Sequence, residues 1–324
     1  MGLATAQAEF LIQAQRNGVR FEKTLTVGRQ NFLVSPRRLE RLLRRHAAWP
    51  ADLSVPEMRE ALVSGSGFAD PFLRMLGART VDALDVSEFE GATIIHDLNY
   101  SIPAALHQTY DLVIDGGSLE HVFNFPVALQ SCMQMVKVGG HFIGVTPANN
   151  NCGHGFYQFS PELFFRAFSR DNGFDVERMI AIENDVEVAY LFHRSYLMEI
   201  AGPWFRVTDP AAIGDRVLLM NRRPVLLMIQ ARRVSEVPVF ARYPQQSDYV
   251  ATWKAHDQDP SAFERSRPQK RWLDRVISRS ALLHLKLHAI GSVMRWIAPF
   301  QTSRLYRRRH FSNRRSFRPT PKSP

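Results

Sequence analysis

In "YDLVIDGGSLEHV", residues 110–122, an apolar run delivers an aspartate, two glycines, and then Glu120 and His121 side by side. That grouping has a chemical use. Glycines let a backbone approach a ligand closely, and an imidazole that titrates near neutrality can take a proton from an acceptor hydroxyl. His121 is therefore the first candidate base; the alternative is that Glu120 and His121 only hydrogen-bond neighbouring loops. A second concentration is "TPANNNCGHGFYQFSPELFF" at 146–165. There His154, the second catalytic candidate, joins Tyr157 and Gln158 as hydrogen-bonding groups, while Phe156 and Phe159 offer apolar walls. The mixture suits a sugar or small aromatic, or else a structural loop docked by its aromatics. Asp115, Glu120, His121, His141 and His154 share this half of the chain, but no tight spacing such as H-x-x-x-H occurs, so no metal ligands are assigned.

The elements that must position these groups alternate. Strand signals run through "KTLTVGRQNFLV", broken at Gly28, then "TVDALDVS", "ATIIHDLN", "YDLVIDGG", "HFIGVTPANN", "DVERMIAIE" and "RPVLLMIQARRV". Helical stretches lie at 1–20, with Phe10, Leu11 and Ala14 on one side, and in "PRRLERLLRRHAAW", "VPEMREALV", "DPFLRMLGA", "PVALQSCMQMVKVGG" and "SPELFFRAFSRDNGF". Ser35 and Ser160 read as N-caps before Pro36 and Pro161. This alternation predicts an α/β, doubly wound, mostly parallel sheet whose continuous apolar strands are buried on both faces. In such sheets ligands bind beyond the carboxyl ends of the strands. Asp85, Asp97 and Asp115 all end strand signals, forming a rim able to hold ribose hydroxyls, an exocyclic amine and a positive charge. The competing reading is that each Asp caps its own turn.

Over 79–174 the chain resembles the class I S-adenosylmethionine-dependent methyltransferases. "DALDVS" looks like the second strand with its ribose-binding acid, "IIHDLN" like the third, "YDLVIDGGSLEHV" like the fourth with its loop, and "VKVGGHFIGVTP" like the turn into the fifth. The resemblance implies S-adenosylmethionine as cofactor and places Asp85 with Val86, Asp97 with Leu98, Asp115 with Gly116, and Gly28 with Arg29 around it. One departure stands out. The family's glycine-rich first loop is represented by Gly28 alone, with Arg29 and Gln30 in the next positions and inserted helices over 36–76. Arg29 either pairs with the cofactor's carboxylate or fills its space, leaving a non-catalytic relative. A nicotinamide site is excluded by the absence of G-x-G-x-x-G after any strand.

Charge divides the chain. Of 41 Lys and Arg and 31 Asp and Glu in 324 residues, sixteen basic and two acidic groups fall at 264–324, a net +14, which leaves 25 against 29, or −4, on the rest. The expected organisation is an N-terminal helix at 1–20, a methyltransferase-like domain at 21–235, an irregular connector at 236–263 and a basic extension at 264–324. The extension begins as an amphipathic helix flanked by Trp272 and Trp296, suited either to an anionic membrane surface or to packing on the body. No base-reading motif accompanies its arginines, which argues against sequence-specific nucleic-acid recognition, although RNA methylation remains a third reading. Two cysteines, no signal-peptide pattern and no long apolar run predict a cytoplasmic chain, peripheral at a membrane if the tail attaches. The expected activity is O-methylation of a small-molecule or saccharide acceptor, lipid-linked if the tail is an anchor; the alternative is an inactive relative serving as a membrane or assembly partner.

Overall fold

A computed structural model describes residues 2–184, 201–213, 223–258 and 317–319. The basic extension at 264–316, with its expected helix, lies outside the described residues.

The centre is a nine-stranded sheet. Its parallel part comprises β2 (Lys23–Val27), β4 (Thr80–Asp85), β5 (Ile94–Ile95), β6 (Tyr110–Asp115) and β7 (Val136–Asn149). Across the sheet these lie in the order β5, β4, β2, β6, β7, the third-second-first-fourth-fifth arrangement of doubly wound folds. Beyond β7 comes β10 (Val225–Arg233), antiparallel to both β7 and β8 (Phe174–Asn184). The sheet closes with β9 (Ala201–Val207) and β11 (Phe317–Pro319), each antiparallel to its neighbour. A two-residue pair, β1 (Gly2–Leu3) with β3 (Asn31–Phe32), stands apart.

Every residue of β6 is buried because helices cover both faces. On one face Leu112 and Ile114 pack with Phe10, Leu11, Leu39, Leu43 and Phe72, contributed by α1 (Thr5–Arg16), α2 (Pro36–Arg45) and α4 (Asp70–Met75). On the other, Tyr110 and Val113 pack with Phe125, Leu129, Phe142, Phe164 and Phe168, from α5 (Phe125–Met135), β7 and α6 (Pro161–Ala167) with its following residue. Each fully buried aromatic or aliphatic side chain contributes about 1.5–3 kcal/mol. Buried Arg233 donates to the carbonyls of Met133, Gln134 and Val136, tying the end of α5 to β10.

Several expectations change. The third strand signal shrinks to Ile94–Ile95, so Asp97 stands two residues beyond its strand. The N-caps at Ser35 and Ser160 have extended backbones, but neither side chain makes a capping bond. A full capping box forms instead at Ser54 and Glu57, opening α3 (Val55–Ser64). In the N-terminal helix, Phe10 and Ile12 are wholly buried in the core. The stretch 236–263 is not wholly irregular, since it contains a helix, Ser247–Gln258. It also returns to the body through bonds from Gln130 Nε2 to the Val239 carbonyl, from Phe240 N–H to Asn172 and from Ser247 N–H to Glu162.

Candidate active site

Register brings the carboxyl tips together. Val27 pairs with Leu84 on one side and Asp115 on the other, and Asp85 pairs with Ile95. Asp115, Gly28, Asp85 and Asp97 therefore follow one another along a single edge of the sheet.

Local hydrogen bonds explain how each acid is held. Asp85 Oδ1 accepts from Val86 N–H at 2.7 Å, and the Val86 side chain is exposed. Asp97 Oδ1 accepts from the backbone and side-chain N–H groups of Asn99 at 2.9 and 2.8 Å; Asn99 in turn holds Asn124, the residue before α5. Leu98 is buried beneath them. Asp115 is different. Only 1% exposed, its carboxylate accepts from Ser118 and Leu119 N–H and so shapes the turn carrying Gly116 and Gly117. Of the three acids, Asp85 and Asp97 offer partly exposed carboxylates to the rim, whereas Asp115 serves the turn.

The glycine-poor first loop has a definite structure. Gly28 adopts φ +67° and donates its N–H to the Leu84 carbonyl at 2.7 Å. Arg29 bridges loops: it donates to the Glu90 carbonyl at 3.0 Å, pairs with Asp70 at 3.5 Å and lies 4.0 Å over the Phe68 ring. The residue that enters the rim is Gln30. It is 1% exposed, and its Nε2 donates to the carbonyls of Val27 and Gly28 at 2.6 and 3.3 Å, which leaves Oε1 buried without a partner. A Cβ on Gly116 would stand 2.2 Å from that oxygen. Gly116 thus lets Gln30 approach the turn closely, and Gly117 is favoured by its φ of +100°.

Glu120 and His121 follow in a short 3₁₀ turn, Leu119–His121. Glu120 is 1% exposed with Oε2 unpartnered. Burial pushes its carboxyl up to about 8, helped by the nearby Asp115 charge, and burial pushes Asp115 up to about 7 against the pull of its backbone N–H donors. His121 is held below the usual imidazole range by partial burial and by the neighbouring His154. The loop from 151 to 159 docks on this turn, since Phe156 and Tyr157 N–H both donate to the Glu120 carbonyl. That docking sets His154 Nε2 3.6 Å from Glu120 Oε1 and the two imidazole centroids 5.3 Å apart. Tyr157 O–H donates to the Phe123 carbonyl, Gln158 accepts from Asn151 N–H, and Phe159 belongs to the core against Phe125. Exposed faces on this loop come instead from His154 and Phe156, the latter edge-on to exposed Phe123 at 5.8 Å.

The parallel order of the sheet, with Asp85 and Asp97 at its carboxyl edge and a glycine turn beside them, decides the architecture. The chain has a doubly wound, Rossmann-like fold. No family model matches it, and no curated protein does. Among solved structures it is similar to an S-adenosylmethionine-dependent methyltransferase from Mesorhizobium loti, with 14% identity, 70% of this chain and 98% of that one covered, and a TM-score of 0.35. It is likewise similar to a geranyl diphosphate methyltransferase in complex with its cofactor, with 14% identity, 71% and 85% covered, and a TM-score of 0.35.

Two features of this site escaped the sequence reading. Gln30, not Arg29, is the side chain set between the tips of β2 and β6. Glu120, His121 and His154 converge from two loops, with ligand-capable atoms all within 4.8 Å of one another, although their spacing carries no metal motif. Nothing in the spacing could have shown either; Gly155, whose Cβ would stand 2.9 Å from the Glu120 carbonyl, is the one trace of that close packing.

Proposed function

We propose that this protein is an S-adenosylmethionine-dependent methyltransferase acting on a hydroxyl of a small-molecule or saccharide acceptor. The observation that carries the reading is the shared carboxyl edge on which Asp85, Asp97, Gly28 and the Gly116–Gly117 turn stand together, next to Glu120 and His121. Asp85 would accept the ribose hydroxyls and Asp97 would lie at the adenine amine, with Val86 and Leu98 flanking the nucleoside. The buried, unpartnered Gln30 Oε1 fits an ammonium donor, as the amino-acid end of the cofactor carries. The bound cofactor supplies an electrophilic methyl on a sulfonium. The chain's own part is alignment: Gly116 and Gly117 bring backbone close to the transfer point, and His121 takes the acceptor's proton at an imidazole that burial and His154 hold below its usual range. The exposed rings of Phe123 and Phe156 give the acceptor an apolar seat beside His154.

The test is incubation of the purified chain with isotopically labelled cofactor and hydroxyl-bearing metabolite and lipid-linked saccharide fractions, read by mass spectrometry. A labelled methyl ether absent from the His121→Ala reaction supports the proposal, and label confined to nitrogen or to RNA refutes it. One observation favours a second reading, a non-catalytic relative: Gln30 fills space that a glycine would leave open. Cofactor binding to wild-type protein separates the two.

The extension at 264–324 supports a further part of the reading, attachment to an anionic membrane, through its net charge of +14, counted as sixteen basic minus two acidic groups. Among the described residues no helix is long and apolar enough to cross a membrane. Flotation with phosphatidylserine vesicles checks this, and undiminished flotation of a chain lacking 264–324 would refute it.

A further inference from the structure

We infer that Glu120, His121 and His154 form a binding site for a divalent cation of the zinc type. The three come from two segments, the 3₁₀ turn after β6 and the loop after β7, and their ligand-capable atoms all lie within 4.8 Å of one another. One carboxylate and two imidazoles form a donor set that zinc takes at sites with a fourth position open. Independent of that proximity, Glu120 is 1% exposed and its Oε2 has no hydrogen-bond partner. A buried carboxylate oxygen left unpaired costs free energy that a cation would recover.

The distances are those of a site before closure. Bonds of about 2.0–2.1 Å in a tetrahedron put neighbouring ligand atoms ~3.4 Å apart. Glu120 Oε1 and His154 Nε2 are already at 3.6 Å. The remaining separations would close by rotation of the His121 and His154 side chains, both on exposed residues. The Glu120 backbone is held in place, since its carbonyl is bonded by Phe156 and Tyr157 N–H. Phe123 and Phe156 flank the exposed side, where the fourth position would face. If the methyltransferase reading holds, that position would meet the acceptor oxygen, and in the metal-loaded chain the cation, in place of a free His121 imidazole, would lower the acceptor's proton affinity; the cation site itself does not depend on it.

The experiment uses the full chain, stripped with chelator, without cofactor, titrated calorimetrically with zinc chloride and separately with magnesium chloride. One zinc per chain is expected, with magnesium much weaker. His154→Ala and His121→Ala should each weaken zinc binding at least about tenfold, while Cys152→Ser, a change in an exposed thiol two residues from His154, should leave it unchanged. Cobalt(II) substituted for zinc should give tetrahedral visible absorption that His154→Ala abolishes. Absence of stoichiometric zinc binding at micromolar metal overturns the inference. So does wild-type affinity in both histidine variants, or loss of binding in Cys152→Ser. Because no cofactor is present, these outcomes are independent of whether methyl transfer occurs.

Discussion

Gly116→Ala probes the contact that most distinguishes this site. The new Cβ would stand 2.2 Å from Gln30 Oε1 and 2.7 Å from its Cδ, so the amide must move. Moving it breaks the bonds from Nε2 to the Val27 and Gly28 carbonyls. The Val27 carbonyl keeps a second donor, Ser118 Oγ at 2.6 Å, so no acceptor there is orphaned. Two net hydrogen bonds at about 1 kcal/mol each give an expected loss of ~2 kcal/mol. In a Gln30→Gly background the amide is already gone, and the same alanine should cost almost nothing. Urea unfolding of all four proteins, followed by far-ultraviolet dichroism and tryptophan fluorescence with m-values held, measures the cycle. A coupling of about 1–2 kcal/mol is expected; additivity within ~0.5 kcal/mol would refute the claim that Gln30 fills the space beside Gly116.

Other outcomes follow from the same geometry. In metal-free protein, Asp115 and Glu120 have folded-state values raised to about 7 and about 8, so the folded chain holds protons the unfolded chain has released. Stability should then be greatest below about pH 4 for this pair and fall as pH rises through 7 to 8, and Glu120→Gln should flatten that slope in unfolding titrations. Gly155→Ala places a Cβ 2.9 Å from the Glu120 carbonyl and 3.2 Å from His121 Nδ1; it should depress kcat for methyl transfer while leaving cofactor affinity unchanged by calorimetry. Arg233→Met keeps side-chain volume but removes the donor shared by Met133, Gln134 and Val136 carbonyls. It should cost about 2–3 kcal/mol in urea unfolding without altering cofactor binding.

What could be read from sequence followed burial. The apolar runs of β6 and β7, each closing on polar residues, announced strands and their carboxyl ends because helices cover both faces. The reversal of β10 was invisible for the same reason: "VLLMIQ" buried on both faces reads alike in either direction. β9 was missed because "AGPWFRV" carries a Gly-Pro that signals a turn. The helix Ser247–Gln258 buries no residue, so it has no apolar face to betray it. In the site, Asp85 was legible as a strand-end acid and Asp97 as an acid just past one. Asp115 was legible as an acid but not as a buried turn anchor, which depends on the N–H groups of Ser118 and Leu119 folding back on it. The approach of His154 to Glu120 arises from backbone bonds between loops more than thirty residues apart, and side-chain spacing along the chain carries no record of such bonds.

Calorimetric titration of the full chain with S-adenosylmethionine, beside Asp85→Ala, probes the cofactor rim itself. One cofactor should bind per chain, with an affinity about a hundredfold weaker in the variant, since two charge-assisted ribose bonds are lost at roughly 1.5 kcal/mol each. No heat at high micromolar cofactor, or equal affinity in the two proteins, would contradict it.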